Sequence, residues 1–117
     1  MDNSKVKNNL AFMRDIHTSS LQKRKERLRN INKREVDFVC DCAFNILRKN
    51  LPLTHDQIKG LRQPTVKKVV YTLANKSVPY ERRRDIIKQS GGFLPLLLAP
   101  LLGSILGNVI SNIVPSN

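Results

Sequence analysis

The stretch Arg34-Glu-Val-Asp-Phe-Val-Cys-Asp-Cys-Ala-Phe-Asn-Ile-Leu-Arg-Lys49 decides the fold. Val36, Val39, Ala43, Ile46 and Leu47 recur at helical spacing, and Phe38, Cys42 and Phe44 widen the stripe. A helix with so broad an apolar face has to be covered by other elements, so a core is expected around it. Leu51-Pro-Leu ends the helix. Thr54-His-Asp-Gln57 then reads as a capping box, in which hydroxyl and amide each satisfy a free backbone N–H. It opens a short helix carrying Ile58 and Leu61. Pro64 suits the first turn of the next helix, where Val66, Val69, Val70, Leu73 and Ala74 form a second stripe with Lys67, Lys68 and Lys76 off it. Ser77-Val-Pro-Tyr starts a last basic helix with Ile86 and Ile87 facing inward.

Upstream, residues 1–16 are polar with scattered apolar positions, which reads as a frayed helix or a tail. Thr18 or Ser19 is the candidate cap of the following helix. That helix has five cations between Lys23 and Arg29, and only Leu21, Leu28 and Ile31 as apolar neighbours. It is expected to be exposed and cationic all round. Strand signals are nearly absent.

The expectation is therefore an all-α chain: a small basic bundle of short helices, a flexible basic N-terminal segment and a C-terminal apolar helix. The divisions fall at residues 1–33, 34–90 and 91–117. With 117 residues the core is small and its stability modest.

Charge is segregated. All 21 Lys/Arg and all nine Asp/Glu lie between Asp2 and Lys88, and the net charge is +12. Such a polycation suits nucleic acid or anionic lipid heads, since each neutralised phosphate releases condensed counterions. Trp is absent and only six Phe and Tyr are present, which argues against single-strand binding by base stacking. Contacts to phosphate, without sequence reading, are the expectation. The candidate set is Lys23, Arg24, Lys25, Arg27, Arg29, Lys33, Arg34, Lys67, Lys68, Arg82, Arg83, Arg84 and Lys88.

From Gly91 to Val114 run 24 residues without charge, long enough to span a bilayer as a helix. Pro95 and Pro100 interrupt its start, and the stretch after Pro100 falls short of a full span. Gly103, Gly107 and Ser111 form a small-residue stripe suited to membrane or helix–helix contact. Three readings of this run stand open: a membrane segment, a surface for a capsid or other assembly partner, and the last helix of a soluble core. Gly91-Gly92 is either a helix cap and hinge or part of a proteolytic site at Gln89, Ser90, Gly91, Gly92 and Phe93.

No catalytic constellation is visible. His17 and His55 sit in polar settings, Cys40 and Cys42 are too few for zinc, and no phosphate loop is present. Neither an enzyme nor a cofactor or metal is expected. Met1-Asp-Asn-Ser-Lys has no apolar run, so no secretory leader is expected either.

The order Arg82-Arg83-Arg84…Gly91-Gly92-Phe93-Leu94-Pro95-Leu96-Leu97, continuing into an apolar tail, resembles the C-terminal half of the precursor of adenovirus core protein X (mu). The match covers residues 82–114. In that family an arginine-rich DNA-condensing segment ends in a Gly-Gly site cut by the viral cysteine protease. The family favours Met, Ile or Leu at the fourth position before the cut, where this chain has Gln89. Its basic segment also lacks the helical patterning of residues 34–76. That middle block (Cys42-Ala-Phe-Asn-Ile-Leu and Asn50-Leu-Pro-Leu-Thr) is similar to small proteins of Maverick/Polinton and adintovirus-like elements. The resemblance implies a minor virion core protein acting in the virion or host nucleus. Its implied partners are double-stranded DNA and a viral cysteine protease, and the apolar tail adds viral capsid proteins or a membrane as expected partners. The alternative is a tail-anchored or membrane-perturbing protein with a basic cytosolic domain.

Overall fold

Asn32 and Glu35 open the central helix with a reciprocal cap. The Asn32 side chain accepts from the Glu35 backbone N–H at 2.8 Å, and Glu35 Oε1 accepts from the Asn32 N–H at 3.1 Å. The computed structural model describes residues 3–51 and 53–101. These form eight helices and no strand: α1 (Asn3–Asn8), α2 (Leu10–Thr18), α3 (Leu21–Arg29), α4 (Lys33–Leu47), α5 (His55–Leu61), α6 (Pro64–Ala74), α7 (Tyr80–Lys88) and α8 (Leu94–Leu101).

The central helix α4 buries Val36, Phe38, Val39, Cys40, Cys42, Ala43 and Ile46. It packs most extensively on α6, which contributes Val66, Val70 and Leu73, and also touches α7 and α8. The helix ends in a Schellman turn: Asn50 N–H reaches Asn45 O at 3.0 Å, Lys49 N–H reaches Ile46 O at 3.1 Å, and Lys49 takes the left-handed conformation with φ 57°. The Thr54–Gln57 capping box forms as expected, with bonds of 2.9 and 3.1 Å, and Pro64 occupies the first turn of α6.

Two regions differ from the expected organisation. The N-terminal segment, expected to be flexible and part helical, is helical from Asn3 and also enters the core. Val6, Phe12, Met13 and Ile16 are buried, because α2 places the last three on one face at i, i+1 and i+4. Ser20, one residue past the expected candidates, caps α3 by accepting from the Lys23 N–H. That helix is not solvated all round, since Leu28 is fully buried.

The second difference concerns the start of the charge-free run. Helix α8 packs on α2, α4 and α5, and Leu94, Leu97, Leu98 and Leu101 are 0–1% exposed. Burying four leucines is worth on the order of 6–12 kcal/mol relative to leaving them in water. The buried leucines of residues 94–101 are thus part of the core. Gly60 permits the approach of α8 to α5, since a Cβ there would lie 2.8 Å from a Leu96 methyl. No helix among the described residues is long and apolar enough to cross a membrane. Gly103, Gly107 and Ser111, expected to make membrane or helix–helix contacts, lie outside the described residues.

Candidate nucleic-acid interface

Helices α3 and α7 are some fifty residues apart in sequence but pack side by side. The turn that follows α7 fixes this neighbourhood. Gly91 is buried beneath α3, where a Cβ would meet Lys25 Cγ at 3.4 Å, Leu28 at 3.7 Å and Leu21 at 3.8 Å. Two basic stretches that are separate in sequence are thereby brought side by side. Lys23, Arg24, Lys25 and Arg29 come from α3, and Arg82, Arg83, Arg84 and Lys88 from α7. The carboxylates on the same helices are Glu26, Glu81 and Asp85. Among the described residues none of them forms an ion pair with these eight cations.

These eight cations are graded in exposure. Lys23, Lys25, Arg29 and Arg82 are exposed, while Arg24, Arg83, Arg84 and Lys88 are half-buried. The Nε of Arg24, Arg83 and Arg84 is covered and makes no hydrogen bond among the described residues. Arg83 turns toward α4. It stands beside Cys40, where its charge opposes the upward push of burial on the thiol.

Arg27 is different from its neighbours. Its guanidinium binds Glu35 through both Nη atoms, its Nε lies 3.4 Å from Asp15, and its Cζ stands 5.3 Å from the centre of the Phe12 ring. These carboxylates hold the guanidinium pKa above its ordinary value, with the Glu35 hydrogen bonds as the main cause. Arg27 is therefore a joint of the fold rather than a free cation of the face.

The remaining candidates lie elsewhere. Lys33 and Arg34 occupy the first turn of α4, where a cation opposes the helix dipole. They line a shallow cavity with Lys5, Asp37 and Asp41, and Lys5 pairs with Asp41 at 2.7 Å. Lys68 is exposed on α6, and Lys67 stands over the Tyr71 ring at 5.9 Å beside an apolar groove. Sequence reading missed the cations Lys49 and Arg62 on that groove, because isolated cations in a basic chain carry no signal until the fold gathers them. It also missed the pairing of Arg48 and Lys76 over Phe44, at 5.3 and 5.7 Å. Only the Phe44–Arg48 spacing of i, i+4 hinted at it.

The candidate cleavage residues form a closed turn. Ser90 Oγ donates to Ile86 O at 2.6 Å, and Phe93 and Leu94 N–H both reach Ser90 O, at 3.1 and 2.8 Å. Ser90 and Gly91 are buried; Gln89 and Gly92 are exposed. A protease cleft takes extended backbone, so this turn must open before Gly92–Phe93 can enter one. His17 is exposed at the end of α2 and His55 at the start of α5. Among the described residues no group of three metal-ligating side chains occurs. Comparison with protein-family models, curated proteins and solved structures gives no match.

Proposed function

We propose that the chain binds and condenses double-stranded DNA without sequence preference, as a virus-like minor core protein. The observation that carries this reading is the pairing of two basic helices, α3 and α7, whose eight cations have no ion-pair partner among the described residues. The cations spread around two adjacent helices, and phosphates of a duplex lying across the pair can neutralise the exposed ones, Lys23, Lys25, Arg29 and Arg82. With few exposed aromatics the pair has little with which to read bases. The resemblance to the mu precursor makes packaged DNA the polyanion, the virion or host nucleus the place, and capsid proteins further partners. Cleavage at Gly92–Phe93 is left to a chain in which the turn has opened.

The test is duplex DNA binding by the full chain across a salt series, with RNA duplex and phosphatidylserine vesicles in parallel. If five to eight phosphates are neutralised, log K falls with log salt at a slope of about −5 to −7. Reversing Arg82 and Arg84 to Glu lowers both affinity and slope. A flat salt dependence, or vesicle binding that far exceeds DNA binding, overturns the reading. The second outcome would favour a membrane-surface protein. For that alternative, the leucines of α8 are already taken up by the core in the folded chain.

A further inference from the structure

Away from the α3–α7 face, the C-terminal turn of α4, the following loop, α5 and α6 enclose a groove of about 710 Å³. This is within the roughly 300–1,000 Å³ range of ligand sites. Leu47, Leu53, Ile58 and Tyr71 form its apolar wall, and Tyr71 is 54% exposed, one of two large apolar side chains left so open among the described residues. Three cations, Lys49, Arg62 and Lys67, line the same groove, and no carboxylate among the described residues does.

We propose that this groove is the docking site of an amphipathic helix of another protein, apolar on one face and acidic along its flanks. The apolar wall takes side chains at i, i+3, i+4 and i+7, as helix-in-groove recognition does. The three cations meet the acidic flanks. Tyr and Arg are the side chains that most often anchor such interfaces, and Tyr71 and Arg62 are both placed to do so. Charge selects among occupants. A second copy of this chain brings its own net charge of +12 against a cationic rim. Residues 102–117 carry no ionisable side chain to offer the three cations. A duplex has no apolar face for the wall. An acyl chain lying in a trough open to solvent leaves one side wet, whereas a helix covers the trough with its own polar face. The proposal is independent of DNA binding, which uses other helices.

The experiment uses the full chain and two synthetic helices with leucines at i, i+3, i+4 and i+7. One carries glutamates on the flanks and the other glutamines. Anisotropy should show the glutamate helix binding at least tenfold more tightly. Arg62→Glu with Lys67→Glu should weaken it roughly tenfold or more, and Tyr71→Ser should weaken both helices; all three positions are exposed, so the fold is retained. Lys7→Glu with Arg14→Glu makes the same charge change on exposed positions of α1 and α2 and should leave affinity within about threefold. Equal loss in the two charge-reversed pairs means attraction to bulk charge only, and overturns the proposal. So does phosphatidylserine-vesicle binding that Tyr71→Ser abolishes while helix binding is untouched. A concentration-dependent dimer abolished by Tyr71→Ser would make the occupant a second copy, and would also overturn it.

Discussion

Arg27 grips Glu35 with both arms of its guanidinium, Nη1 to Oε1 at 3.3 Å and Nη2 to Oε2 at 2.5 Å, and so ties α3 to α4. Glu35 is 3% exposed and also closes the cap of α4 on Asn32. One carboxylate therefore serves a helix terminus and an interhelical joint together. Removing it should cost both: Glu35→Ala is expected to destabilise the chain by about 2–4 kcal/mol, less than a fully buried pair because Arg27 is partly exposed. Urea denaturation measures this. A loss below about 0.5 kcal/mol would mean that the joint carries no stability.

The same pair separates a structural arginine from those proposed to meet phosphate. Arg27→Ala should lower stability and leave the DNA salt slope unchanged. Arg84→Ala should make the slope shallower by about 0.9 for each phosphate left without its cation. An equal change of slope in the two variants would place Arg27 on phosphate.

Leu98→Ala should destabilise by about 2–5 kcal/mol, as expected for a fully buried leucine. Deleting residues 93–117 removes all four buried leucines of α8, a deficit comparable with the roughly 5–15 kcal/mol that holds a whole domain together. The truncated chain should show no cooperative thermal transition by circular dichroism. A retained, sharp transition would show that α8 is dispensable.

Lys49 sits at φ 57°, where a side chain costs about 1 kcal/mol that glycine avoids. Lys49→Gly should therefore raise stability by about 0.5–1 kcal/mol, read as a higher urea midpoint at unchanged m-value. Lys49→Val should lower it.

Cys42 is fully buried, and burial pushes its thiol well above the ordinary value of 9.0; Cys40 is raised by the same cause. In the unfolded chain both thiols ionise near their ordinary range, while in the fold they stay protonated. Stability is thus fully present below that range and falls as pH rises past about 8.5–9. The Cys40→Ala, Cys42→Ala double variant should lose less stability between pH 8 and 10 than the parent. Native thiols should resist a disulfide exchange reagent that reacts readily in urea. Fast labelling under native conditions would contradict the burial.

The elements legible in the sequence were those whose signals are local. The stripe from Val36 to Ile46, the Thr54–Gln57 box and Pro64 each act within one or two turns, and each stands where it was expected. The box at Asn32–Glu35 was equally local but hidden, because Lys33 and Arg34 drew the reading toward charge. Other features depend on partners. Phe12, Met13 and Ile16 look scattered until α8 supplies the surface that covers them. An apolar run reads alike whether leucine or lipid surrounds it, so Leu94–Leu101 gave no sign of its destination. The α3–α7 face was half legible: its cations were evident, but their meeting is a tertiary fact set by the buried turn at Gly91.

The packing of α8 on α2 has a consequence during synthesis. Phe12, Met13 and Ile16 leave the ribosome first, and α8, which packs on their helix, leaves last among the described elements. Closing so long a loop is slower than forming the more local α4–α6 contacts. The core is therefore complete only once Leu101 has emerged, and until then the cations of α3 and α7 lie near ribosomal RNA, a dense polyanion.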